Sequence, residues 1–347
     1  MMPELPPPAL RLRIDHAALA ANWAALDRLS GSARAGAAVK ADAYGLGAVG
    51  AVRTLAAAGC VDFFVAHWQE AQAIVGLVAP ERIAVLHGPL SPADARFART
   101  LGVRPVINTL HQAQLWLDGG GGPCHLMVDT GINRLGLPLA ELGAEAVTRL
   151  EIDVLLSHLA SADEDSSLNE VQRRRWDDAR GQMRHQRASL ANSAGIALGA
   201  AWHGDLTRPG IALYGGVPRS ELAGVIRQVA VPEAAIIQVR NLQPGDSVGY
   251  NATFTAARPM RAGVIALGYA DGYLRCWSGK GVMHAGGAAL PVLGRVSMDM
   301  TVIDLGAAPG LVEGDWVGID YALPAAAAAS GLSQYELLTL LGRRFSR

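Results

Sequence analysis

The chain has 347 residues, half of them hydrophobic and 18% charged, with 30 Lys and Arg against 31 Asp and Glu. That length suits two domains with a large core, and a near-neutral balance with no basic stripe or acidic tail argues against a nucleic-acid partner. Three scattered cysteines, Cys60, Cys124 and Cys276, offer neither a disulfide framework nor a thiolate metal site and fit a reducing, cytoplasmic setting.

The N-terminal MMPELPPPALRLRID lacks the apolar region of a signal peptide, and no run of eighteen apolar residues follows, so no membrane partner is expected. Leu19, Trp23, Leu26 and Leu29 then fall at helical spacing, with Asp15 available as a cap. Short, continuous apolar runs come next: 35–40, 61–66, 82–88, 104–108, 125–129, 152–158, a weaker 196–202 and 210–215. Continuous rather than alternating runs suit strands buried on both faces, and most are separated by helix-length segments. Eight such units predict a TIM-like (β/α)8 barrel over 10–222. A doubly wound sheet is the competing architecture. From about residue 220 the runs are broken by Pro and Gly, as in VIRQVAVPEAAIIQVRNLQPGDSVGYNATFTA, which predicts a mostly β second domain over 223–347. Residues 1–9 are candidates to join that domain.

GLGAVG at 45–50 matches a dinucleotide-binding pattern, with Asp62 near the place of a ribose ligand. In a chain with forty glycines the match is weak. A pyrophosphate turn also wants glycine directly after the strand, where this chain has Lys40, Ala41 and Asp42.

Lys40 ends a strongly apolar run. At the carboxyl end of a barrel strand it would face the active-site mouth. Burial would disfavour its charge, and a neutral amine can form a Schiff base with an aldehyde. Tyr44 follows closely, Arg134 follows the fifth run, and His158 closes the sixth. Asn192 and Ser193 precede the weak seventh, and Arg208 precedes the eighth. Each has a structural reading when taken alone: a snorkelling lysine, a satisfied histidine, an ordinary ion-pair arginine.

Together the segments AAVKADAYGLG, VDTGINRLG, SHLASADE, ANSAG, LTRPGIALYG, SVGYNATFTA, IALGYADGY, GRVSMDM and YELL resemble those of the alanine racemase family, in the same order, from about residue 10 to 342. The resemblance implies pyridoxal 5'-phosphate held by Lys40. Tyr44, Ser193 and Tyr335 would bind its phosphate, helped by Asn192 and by the backbone at Gly210 and Ile211. Arg208 would face the pyridine nitrogen, with His158 beside the ring. Arg134 would orient the substrate carboxylate, and Tyr269 and Met298 would shape the entrance. Lys40 and Tyr250 would be the two bases, serving the D- and L-enantiomer's α proton respectively. A racemase needs one proton donor or acceptor on each face of the α carbon. An arginine at the ring nitrogen cannot readily donate a proton and disfavours a second positive charge there, which limits transamination. The resemblance further implies a homodimer, with the residues matching Tyr250 and Met298 reaching the opposite subunit's site.

The chain departs from the family at four places. Met127 stands where many members carry a carbamylated lysine supporting the residue matching Arg134. Leu46 replaces a common histidine, and Gly249 and Asn251 flank Tyr250 where serine and glycine are usual. The expected function is interconversion of L- and D-alanine. The alternatives are a broader racemase acting on serine, a decarboxylase of the same organisation, and a pyridoxal-phosphate carrier without turnover.

Overall fold

The structure is a computed structural model and describes Pro3 and residues 6–346. The chain forms two units. His16–Arg227 is one, and the stretch ending at Asp15 joins the stretch from Gln228 onward in the other. The break therefore falls five residues beyond the sequence-based boundary at 222/223. Residues 10–15 also leave the barrel they were expected to open. Leu10–Ile14 reads LRLRI, with Leu10 and Leu12 buried, and this alternation pairs it antiparallel with Ala230–Ala234. The expected joining of residues 1–9 falls in part on residues 1, 2, 4 and 5, outside the described residues.

In the His16–Arg227 unit the parallel strands are Arg34–Ala35 continuing as Ala37–Ala38, Phe63–Val65, Ile83–Val85, Arg104–Ile107, Pro123–Asp129, Glu151–Leu156, Arg187–Ser189 and Leu206–Thr207. Each of the first six pairs in parallel with the next in the series. Leu206–Thr207 pairs with Arg34–Ala35. It is tied to the seventh strand by Asp205 N–H to Ala188 O and Arg208 N–H to Ala191 O, both 2.8 Å. The sheet thus curls back on itself in the TIM-like manner.

The first six strands fall on the expected apolar runs, but the last two do not. Residues 196–202 are the end of the helix Ser193–Ala197 and a 3-10 turn, Ala200–Trp202. Residues 210–215 hold the 3-10 turn Ile211–Tyr214. Both runs are apolar because they are buried turns, and a short buried turn has no periodicity to distinguish it from a strand. The correction changes the site. Asn192, Ser193 and Arg208 follow the seventh and eighth strands rather than precede them, so they lie at carboxyl ends like the other mouth residues.

The helices are locally specified. Ser91 caps Pro92–Leu101 by accepting from Asp94 N–H, with Pro92 at the first position and Gly102 in the left-handed region beyond the end. Thr109 caps Leu110–Asp118 through Gln112 N–H. In His16–Leu29, Leu19, Trp23 and Leu26 are buried while Leu29, the last of the stripe, is exposed. Trp23 Nε1 donates to Ala35 O at 3.1 Å, fastening the helix to the first strand.

Charges close the amino-terminal end of the barrel. Arg187 reaches Asp153 on the neighbouring strand at 3.2 Å and Asp62, which leads into the second strand, at 3.0 Å. Arg82 stands 3.5 Å from Asp62. The Arg187–Asp62 pair spans two intervening strands, so it crosses the end of the barrel. Burial opposes ionisation of Asp153, yet its bond to Arg187 holds the carboxyl below its ordinary range.

In the other unit, Ala230–Leu242 pairs with Met260–Ile265 and, through Glu233–Ala235, with Trp316–Ile319. Thr301–Asp304, Ala288–Leu293 and Val282–Ala285 complete the path between those two strands, closing an antiparallel barrel. A bulge between Ile236 and Gln238 lies where the long strand passes from one neighbour to the other. A short hairpin, Ser247–Val248 with Phe254–Thr255, is covered on one side by Leu242, Ala262 and Leu293. No helix among the described residues is long and apolar enough to cross a membrane.

Candidate active site at the carboxyl ends of the barrel strands

The first barrel strand stops at Ala38, two residues before Lys40. Ala41, Asp42 and Ala43 then have φ of 53° and Tyr44 has 57°, forming a left-handed turn without glycine. Each such residue costs about 1–2 kcal/mol relative to the right-handed form, so the surroundings must hold the turn. Glu70 does so at its start. Its Oε1 accepts from Ala41 N–H at 2.7 Å, and its Oε2 accepts from Ala66 and His67 N–H at 2.7 and 3.2 Å. One carboxylate therefore joins the ends of the first two strands and starts the helix Trp68–Ile74. Inside the turn, Ala43 N–H donates to Val39 O and Gly45 N–H to Ala41 O. Asp42 Oδ1 accepts from Ala48 N–H at 2.7 Å, at the start of Ala48–Ala58. That amide, which a dinucleotide phosphate would need, is thus already engaged, and Asp62 is at the other end of the barrel with Arg187. Both parts of the GLGAVG reading lapse.

The turn delivers Tyr44 beside Gly210. A β-carbon at Gly210 would collide with the Tyr44 hydroxyl, so only glycine leaves that space. Tyr44 packs on Tyr214, ring centres 4.9 Å apart, and the Tyr214 hydroxyl donates to Ala38 O at 2.9 Å. Ser193 Oγ accepts from Gly210 N–H at 2.9 Å and Ala212 N–H at 3.2 Å, which places it against the turn Ile211–Tyr214. Asn192 caps the helix opened by Ser193, its Oδ1 accepting from Gly195 N–H at 2.9 Å, and bridges in parallel to Arg208. Two hydroxyls beside a glycine gap and a tight backbone turn form a set suited to a phosphate.

Arg208 is 7% exposed, and its guanidinium is gripped by carbonyls. Nη1 donates to Ser189 O at 2.8 Å and to the Ser189 hydroxyl, and Nη2 donates to Ser157 O. Burial brings its pKa down to about 10, which leaves it charged at neutral pH. His158 is half-buried, and desolvation followed by Arg208, Arg134 and Lys40 lowers it to about 3, so its ring is neutral. Lys40 is pushed below the ordinary lysine range by burial, then by Arg134, and further by Arg208; Glu70 works in the opposite sense. Arg134 is exposed, on the loop after the fifth strand. Asp129 Oδ1 shapes that loop by accepting from Gly131, Ile132 and Asn133 N–H. Met127 is buried beneath it against Gly136. A carbonyl-gripped cation, an amine with a lowered pKa and a neutral imidazole match a pyridine nitrogen, an aldehyde and an aromatic face. The donor set thus fits pyridoxal phosphate.

The remaining candidates lie on the β unit. Tyr250 opens the 3-10 turn Tyr250–Ala252 in the short hairpin and is 64% exposed; Asn251 and Ala252 have positive φ. Tyr269 opens a turn beside the Met298 loop: Tyr269 N–H donates to Ser297 O and Ala270 N–H to Met298 O. Tyr335 is on the helix Gln334–Thr339, capped by Ser333 with Glu336 in return. Sequence reading missed Glu70, Ser157, Ser189 and Tyr214. Only Glu70 left a signal, as an acidic residue three positions after the helix cap at His67.

A model of the alanine racemase N-terminal domain matches residues 14–218, and one of the alanine racemase C-terminal domain matches 229–347. A protein of Agrobacterium fabrum named alanine racemase, biosynthetic, is 41% identical, covering 97% of this chain and 93% of the relative. A second from the same organism, named alanine racemase, catabolic, is 40% identical, covering 97% and 91%. The crystal structure of alanine racemase from Bartonella henselae with covalently bound pyridoxal phosphate has a TM-score of 0.89 and 34% identity, covering 98% of this chain and 99% of that one.

Proposed function

Because the chain belongs to the alanine racemase family, we propose that it interconverts L- and D-alanine with pyridoxal phosphate held at Lys40. The observation that carries this reading is the convergence of Lys40, Tyr44, Ser193, Gly210 and Arg208 at the carboxyl ends of strands one, seven and eight. When bound, the cofactor supplies a conjugated system that stabilises the carbanion left by removal of an α proton.

The chain's own groups do the rest. Tyr44 and Ser193 would hold the phosphate with Asn192, the backbone at Gly210 and Ile211, and Tyr335. Arg208 would keep a fixed positive charge toward the pyridine nitrogen, and the neutral His158 would lie beside the ring. Arg134 orients the substrate carboxylate, while Tyr269 and Met298 narrow the entrance. The Lys40 amine takes or returns the α proton on one face. The Tyr250 hydroxyl does so on the other.

Tyr250 and Met298 are 64% and 53% exposed in the single chain, which supports a homodimer in which each completes the partner's site. Cys60 and Cys124, buried and unpaired, support a cytoplasmic location. Turnover in either direction serves a biosynthetic or a catabolic role, and the two Agrobacterium relatives are similar to the chain to almost the same degree.

The loaded enzyme incubated with L-alanine in heavy water should yield D-alanine deuterated at the α carbon. Carbon dioxide release, or no α exchange with alanine, would overturn the reading; exchange with serine in its place would move it to that substrate. The phosphate cradle has its own test. Gly210→Ala is expected to weaken pyridoxal phosphate binding about tenfold or more, equivalent to about 1.4 kcal/mol, because its methyl group displaces the Tyr44 hydroxyl. Titration of the cofactor-free protein, followed by absorbance, reads this directly. Unchanged affinity would remove Tyr44 from the cradle.

A further inference from the structure

The turn that carries Tyr269 and the loop that carries Met298 are joined by backbone bonds, and a third segment fastens them from outside. Asp271 ends the Tyr269 turn and is 1% exposed. Its Oδ2 accepts from Gly268 N–H at 3.0 Å, and its Oδ1 accepts from Arg344 Nε at 2.6 Å. The same guanidinium turns its Nη1 to Asp299 at 2.7 Å, one residue beyond Met298. Arg344 belongs to the C-terminal segment, which is pressed against the same turn. Gly342 N–H donates to Asp271 O at 3.0 Å, and Gly272 lies so close to Leu340 O that no β-carbon fits. The helix Gln334–Thr339, which ends three residues before Gly342, carries Tyr335 and is anchored by the Tyr321 hydroxyl donating to Leu337 O at 2.7 Å. The Tyr269 ring has a separate neighbour, Arg275, 5.3 Å from its centre, so Arg344 acts on the backbone frame rather than on the ring.

We propose that Arg344 is a positioning residue for the substrate entrance: by bridging Asp271 and Asp299 it fixes the gap between Tyr269 and Met298, and so sets substrate KM and the preference for alanine over serine. The fork of a guanidinium is what allows one side chain to serve two carboxylates on different loops; an ammonium group has no such fork. Arg344 and Asp299 are each about half exposed, so the clamp can be opened without emptying a core. This inference rests on the racemase reading and on Tyr269 and Met298 lining the entrance.

The test compares wild type, Arg344→Met, Arg344→Lys and Asp299→Ala as loaded enzymes. Arg344→Met and Asp299→Ala should raise KM for alanine about three- to tenfold with kcat changed less than about twofold. The ratio of alanine to serine kcat/KM should fall by about the same factor. The two changes combined should exceed neither alone, because both open one clamp. Arg344→Lys, which keeps the bond to Asp271, should fall between wild type and Arg344→Met. Cofactor absorbance should not change. If Arg344→Met exposes too much of Asp271 to fold, Asp299→Ala decides, since it removes only an exposed carboxylate. Unchanged KM and unchanged preference in Asp299→Ala, or strict additivity of the two changes, would overturn the clamp and leave Arg344 a stabilising residue only. Failure of the racemase reading would appear separately, as a wild type that does not racemise alanine.

Discussion

Tyr250→Phe is expected to lower conversion of L- to D-alanine by about 10²- to 10⁴-fold while sparing exchange of the D-alanine α proton with solvent deuterium. The asymmetry follows from assigning one base to each face. Lys40, assigned the D-enantiomer's proton in this reading, keeps its lowered pKa in the variant, since burial, Arg134 and Arg208 are untouched. Phenylalanine fills the same volume without the hydroxyl, so the L face loses its proton acceptor and little else. Lys40→Ala should remove exchange at both faces, because it removes the cofactor attachment as well. Mixing the two variants tests the composite site. A mixed dimer pairs one intact Lys40 with one intact Tyr250 across the interface and none within a chain, so random reassortment should restore about a quarter of wild-type activity. No recovery would place both bases in one chain. Equal loss of exchange from both enantiomers in Tyr250→Phe would overturn the two-base assignment.

Arg187→Ala is expected to destabilise the barrel unit by about 3 kcal/mol, because it strands two largely buried carboxylates, Asp62 and Asp153. A urea titration reads the shift in midpoint. The pH dependence carries a definite sign. Asp153 has its pKa depressed in the folded chain, so its pair contributes stability above the ordinary carboxylate pKa of about 4 and loses it as pH falls further. The deficit of Arg187→Ala relative to wild type should therefore be full at neutral pH and shrink in acid. A midpoint unaffected at neutral pH would mean that the bridge across the barrel end is dispensable. Catalytic constants should move little in the surviving folded fraction, since Arg187 is at the end of the barrel away from the mouth.

The fold was legible wherever a strand lay within a continuous apolar run. Phe63–Val65 falls inside its expected run, and Glu151–Leu156 starts one residue before its own. Arg187–Ser189 and Leu206–Thr207 were not legible, because each is very short and includes polar residues whose partners are remote in sequence. Arg187 is read as a surface residue until Asp62, 125 positions away, is placed beside it. The site was legible as residue types in order, but not as geometry. Nothing in Ala41, Asp42, Ala43 and Tyr44 announces a left-handed turn, because the residue that usually marks one is absent and the stabilising contacts come from Glu70 and from the following helix. Likewise the grip on Arg208 is made by backbone carbonyls, which sequence cannot show.

The strand Ala230–Leu242 borders Leu10–Ile14, Met260–Ile265 and Trp316–Ile319. A sheet closed this way presents no complete row of unpaired amides to a neighbouring molecule, which removes a common route to aggregation. The same economy makes the strand unforgiving of insertions and deletions. Removing one residue between Glu233 and Gln238 would move the register against two neighbours together and turn a buried row outward along both. Length variation among natural or engineered versions of this chain should therefore collect in the loops, and be absent from this thirteen-residue span.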